Sequence, residues 1–84
     1  MTLEATIRER LEAAFSPSRL EVVNESALHA GHAGDDGTGE SHWRVVMRAE
    51  ALGPMSRVAR HRAGNRALGD VMDRAHAMAL DLGG

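Results

Sequence analysis

The sequence predicts an α+β domain of element order α-β-β-α-β, with two helices covering one face of a three-stranded sheet. Two observations lead to that class. Apolar side chains recur at helical spacing over residues 3–15 and again over residues 57–75. Between and after those segments, residues 42–50 and 76–82 alternate apolar and polar side chains with the period of two of a strand.

The first helix places Leu3, Ile7, Leu11, Ala14 and Phe15 on one stripe. Thr2 suits its N-cap and Glu4 its first turn. Ser16-Pro17 ends it, because the residue before a proline disfavours helical backbone. Residues 20–26, LEVVNES, form a short strand with Leu20, Val22 and Asn24 on one face. In the second strand Trp43, Val45, Met47 and Ala49 face the core. His42, Arg44, Val46, Arg48 and Glu50 face water. Gly53-Pro54 is a turn, and Ser56 caps the second helix. The C-terminal half of that helix is apolar on one side through Leu68, Val71, Met72 and Ala75. Its N-terminal half is polar nearly all round, with Val58 as its core residue, and projects into solvent or toward a partner. Gly64 and Gly69 each weaken it by about 1 kcal/mol relative to Ala. In the last strand Met78, Leu80 and Leu82 oppose Ala77, Ala79 and Asp81.

The composition narrows the function. A chain of 84 residues makes one domain with a small core. Phe15 and Trp43 are its two aromatics, so aliphatics and methionines fill that core. The net charge of −2 gives no overall attraction to nucleic acid, but its distribution is uneven. Residues 1–56 carry five Arg against nine acids, whereas residues 57–74 carry five Arg against two. The ten basic residues are all Arg. With no cysteine there is neither a disulfide nor a thiolate nucleophile. No signal peptide and no bilayer-length apolar run are present, so the expectation is a soluble cytoplasmic protein without a membrane partner. No P-loop, GxGxxG, HExxH or GxSxG motif occurs, and Ser26, Ser41 and Ser56 have no triad-like company. The expectation is therefore not an enzyme.

The residues able to carry chemistry are histidines and arginines. The loop HAGHAGDDGTGESH, from His29 to His42, holds three of the five histidines and is long for a hairpin connection. Imidazole is the commonest neutral metal ligand. Structural zinc, however, wants four ligands, usually with thiolate among them, and Asp35, Asp36 and Glu40 offer only harder oxygens. Taken alone, the loop reads equally as a polar, glycine-rich turn. His76 opens the last strand, where it can hydrogen-bond a helix end or share a metal with a loop histidine such as His32. Arg57, Arg60, His61, Arg62 and Arg66 make the start of the second helix basic. That is either a solvated face or a contact surface for phosphates.

The order LEVVNES, HAGHAG, GESHWRVVM, SRVARHR and AHAMAL resembles the BolA family, from Ile7 to Leu82. The resemblance implies one BolA-like domain over residues 1–84, with a fold like that of class II KH domains and a mixed sheet. It also implies partnership with monothiol glutaredoxins around a bridging 2Fe-2S cluster. The glutaredoxin cysteine, a glutathione thiol and two BolA side chains would hold that cluster. His76 maps onto one of the two; the other is a loop residue, His32 by preference, then His29, then His42. Imidazole ligation raises cluster potential relative to all-cysteine ligation, and it makes retention pH-sensitive because only neutral imidazole binds. Two imidazoles alone hold iron poorly, so the isolated protein, a monomer or weak homodimer, is expected to be metal-free. The resemblance further implies DNA as a second partner class, with Arg57, Arg60, His61 and Arg62 on the implicated helix start. Two departures stand out. Gly64 occupies a position where the family usually has an apolar residue, which points to a looser helix. The sequence also ends soon after the third strand, without the tail many members carry.

Overall fold

The computed structural model describes residues 2–26 and 41–84. Its elements are α1 (Leu3–Phe15), β1 (Arg19–Asn24), β2 (His42–Arg48), a 3-10 turn (Glu50–Leu52), α2 (Arg57–Leu68), α3 (Val71–Arg74) and β3 (Ala77–Gly83). The sheet order is β1-β2-β3, with β1 antiparallel and β3 parallel to the central β2. The fold is the α+β class expected, with a mixed sheet.

Local chemistry explains the boundaries. Thr2 Oγ1 accepts the Ala5 N–H at the start of α1, and Ser56 Oγ accepts the Ala59 N–H at the start of α2. Ser16 ends α1 in the left-handed region at φ 45°. The single helix expected over residues 57–75 is two. Gly69 adopts φ +56°, ψ −125°, a conformation suited to glycine, and the chain turns there between α2 and α3. The first strand is shifted slightly, and the second stops at Arg48 because Glu50 enters the 3-10 turn.

The core joins Leu3, Ile7 and Leu11 of α1 to Val22, Trp43, Val45 and Met47 of the sheet. Ala49, Leu52, Leu68 and Val71 complete it. Two sequence expectations fail here. Ala14 is exposed. Asn24 keeps its place in β1 in alternation with Leu20 and Val22, and its side-chain oxygen accepts the Ser26 N–H in a local turn. Val58 is 59% exposed. The stripe that α2 turns inward is instead Arg60, Ala63, Gly64, Ala67 and Leu68, all buried or half-buried at helical spacing. These are mostly small side chains, and they let the helix approach β3 closely. A Cβ on Gly64 would lie 3.1 Å from Leu82 Cδ1 and 3.6 Å from Leu80 Cδ1. Gly64 thus marks close helix–sheet contact rather than a loose helix.

Candidate functional site

At one end of the sheet the chain fixes a histidine by its backbone. The His42 N–H donates to Ser26 Oγ at 3.1 Å, and the His42 carbonyl accepts the Glu25 N–H at 2.8 Å. On the other side, the Ala77 N–H donates to the Ser41 carbonyl at 3.0 Å. Parallel pairing opposes His42 to Ala77, the residue after His76. The two imidazoles therefore meet, with ring centroids 5.4 Å apart and planes tilted by 49°. His76 is exposed, while His42 is 8% exposed. Ser41 Oγ lies 2.7 Å from His42 Nδ1, in a bond whose donor depends on the tautomer.

This corrects two sequence expectations. Alternation put His42 on the wet face, yet it is buried against His76 and two serines. Ser41, which had no evident histidine partner, touches His42. The contact is not a hydrolase pair: Ser41 is fully buried and presents no nucleophile to a substrate. Among the described residues, no three His, Asp or Glu side chains gather as a metal site. His29 and His32 lie outside the described residues. His76, expected to open the last strand, stands one residue before β3.

The basic helix start divides in two. Arg60 Nε donates to the Leu52 carbonyl at 2.7 Å, and its Nη2 donates to the Gly53 carbonyl at 2.8 Å. Its guanidinium therefore caps the 3-10 turn, a role that no local sequence signal marks. Arg57, His61, Arg62 and Arg66 are exposed, and their side chains make no hydrogen bond or ion pair with the other described residues. Arg57 and His61 line a cleft of about 600 Å³ between α2 and β3, with Leu80, Asp81 and Leu82 opposite. They also border a second hollow beside the exposed Val58.

The fold and the histidine-bearing sheet end define a small α+β module without a catalytic constellation among the described residues. A family model described as BolA-like protein matches residues 11–83, and the chain belongs to that family. An uncharacterized protein in the cobS 5' region of Sinorhizobium sp is 53% identical over 83 residues, covering 96% of this chain and 89% of that one. BolA-like protein 1 of Mus musculus is 40% identical over 93% of this chain, which spans 55% of the mouse protein. The DNA-binding transcriptional regulator BolA of Escherichia coli is 37% identical, over 95% of this chain and 73% of that protein. Among solved structures, BolA1 from Arabidopsis thaliana superposes with a TM-score of 0.85 at 29% identity, covering 99% of this chain and 92% of that one. The mouse and Escherichia coli relatives carry the names of a BolA-like protein and of a regulator.

Proposed function

We propose that this protein partners a monothiol glutaredoxin and shares a bridging 2Fe-2S cluster with it, in iron–sulfur trafficking or in iron and redox regulation. The observation that carries the reading is His76. It is an exposed imidazole at the end of the sheet, in a chain with no thiol of its own. The donor set fits one side of a shared cluster. His76, with His32 or else His29 from the loop, would supply imidazoles, and thiols from glutaredoxin and glutathione would complete the ligation. When bound, such a cluster supplies one-electron chemistry at a potential raised by imidazole ligation. The chain's own part is to present His76 outward from a backbone pinned by the Ala77–Ser41 hydrogen bond.

Co-expression with a monothiol glutaredoxin, followed by purification with glutathione and assay of iron and sulfide, tests the reading. A coloured heterocomplex is expected; a colourless mixture of unassociated proteins overturns it. Replacing His32 and His29 separately by Ala then identifies the loop ligand.

A second reading is a DNA-binding regulator, favoured by the exposed Arg57, His61, Arg62 and Arg66 side of α2 and by the name of the Escherichia coli relative. It requires binding that weakens as salt rises. No detectable binding at about 50 mM salt, where electrostatic attraction is strong, counts against it.

A further inference from the structure

We infer that the open edge of β3, beside α2, is a docking groove for an extended peptide segment of another protein that carries acidic side chains at alternate positions. The inference does not depend on the shared cluster.

Backbone direction is the first support. β3 is an edge strand whose one neighbour among the described residues is β2. The Ala77 N–H donates to the Ser41 carbonyl, and the Gly83 carbonyl accepts the Ala49 N–H. In a parallel ladder alternate residues turn their backbone groups to the same side, so residues 77, 79, 81 and 83 face β2. Met78, Leu80 and Leu82 turn theirs to the open side, where no strand lies among the described residues. Such a row of N–H and C=O groups is a template on which an extended peptide adds as a further strand.

The second support is the cleft along that edge. Leu80, Asp81 and Leu82 line one wall of it. Side chains alternate between the two faces of a strand, so three consecutive residues share a wall only along the strand's edge. The opposite wall is Arg57, Arg60 and His61, one side of α2 at helical spacing. The space between the walls is about 600 Å³. Leu80 and Leu82 register with Val45 and Met47, away from His42 and His76.

The third is charge. Arg60 is engaged by the Leu52 and Gly53 carbonyls. The side chains of Arg57 and His61 are exposed and make no ion pair with the other described residues, so their N–H groups are available to carboxylates. Across the cleft, the Asp81 carboxylate is held 3.2 Å from Arg48 Nη1. A strand added to β3 turns every second side chain toward α2, where acidic residues meet Arg57 and His61. The other edge of the sheet is protected: β1 carries Arg19 and Glu21, ion-paired with each other, and charges of this kind blunt an edge. Nucleic acid suits the groove less well. Phosphates have no donor for the strand's carbonyls, and they would face the Asp81 carboxylate and the apolar Leu80 and Leu82.

The probe is a short peptide of alternating Glu and Val with blocked ends, titrated into the full chain and read by backbone amide resonances and hydrogen exchange. The amides of Met78, Leu80 and Leu82 are expected to shift and to gain protection, while a peptide with Lys in place of Glu leaves them unchanged. N-methylation of the Glu residues and of the Val residues, tried separately, should abolish binding in one case only, because one set turns its backbone to β3. Attachment by charge alone would survive both. Arg57→Glu/His61→Glu, at two exposed positions, should weaken binding by about tenfold. Unshifted amides at Met78, Leu80 and Leu82 overturn the inference, as does survival of both methylations or full affinity in the folded double variant. DNA that shifts these amides where the peptide does not overturns it in favour of nucleic acid. Protection of Leu80 that rises with protein concentration in the absence of peptide overturns it in favour of a second copy of the chain.

Discussion

Arg10 reaches from α1 to the break between α2 and α3, where its Nη1 donates to the Leu68 carbonyl at 2.6 Å and to Asp70 Oδ1 at 2.5 Å. One guanidinium thus caps the end of α2 from a different helix. It also flanks Gly69, the residue whose positive φ splits the expected single helix.

That relationship makes the Arg10–Asp70 contact pH-sensitive. The hydrogen bond from Arg10, and then its positive charge, hold the Asp70 carboxyl below its ordinary value of 3.8. A carboxyl with a lowered folded-state pKa contributes stability above its unfolded value and loses it as pH falls through the folded value. The contribution is therefore present at neutral pH and lost below about 3.8. Urea unfolding of wild type and Asp70→Asn should show a difference at pH 7 that closes as pH drops below that point. A constant difference across the range contradicts the assignment. Arg10→Ala, which also strips the Leu68 carbonyl of its partner, should cost about 1 kcal/mol through that bond.

Gly64 tests how closely α2 sits on β3. An Ala there gains about 1 kcal/mol of helix propensity. Its Cβ would meet Leu82 Cδ1 at 3.1 Å, but that atom ends a half-buried side chain that can shift by a few tenths of an ångström. Gly64→Ala should therefore melt at or slightly above the wild-type temperature. Gly64→Leu has no such room and should lose about 1–3 kcal/mol by overpacking. A Leu variant as stable as wild type would show that the helix is not so closely seated.

The arginines of α2 should separate by role. Arg60→Ala removes two donors from the Leu52 and Gly53 carbonyls and should lower stability by about 1–2 kcal/mol. Arg57→Ala and Arg62→Ala remove exposed charges and should leave the unfolding midpoint within about 0.5 kcal/mol. If DNA binding occurs, these two should weaken it for all sequences and reduce its salt dependence by about one unit of slope each. Unchanged affinity in both would place any DNA contact elsewhere.

The fold was legible in the sequence wherever the signal was local. The alternation of Trp43, Val45 and Met47, the caps at Thr2 and Ser56 and the end of the first helix at Ser16-Pro17 all depend on near neighbours, and all appear where expected. What was not legible depends on contacts distant in sequence. Period-two alternation sends His42 to water; only the register with β3 brings His76 over it. The inward stripe of α2 is built from Ala63, Gly64 and Ala67, residues too small to stand out in a hydrophobic pattern, so Val58 drew the attention instead. Arg60 looked like its basic neighbours, because the carbonyls it caps belong to the preceding turn. Of the candidate metal ligands, the sequence picked out His76 by its place at a strand start.

The most direct test of the central claim is the visible absorption of the complex with a monothiol glutaredoxin, formed in the presence of glutathione, for wild type and His76→Ala. His76 is exposed, so the substitution should leave the fold intact, which an unchanged melting temperature would verify. The expected result is loss or marked change of the cluster spectrum, with a fall in bound iron. A His76→Ala complex with the wild-type spectrum and iron content would contradict the assignment of His76 as a ligand.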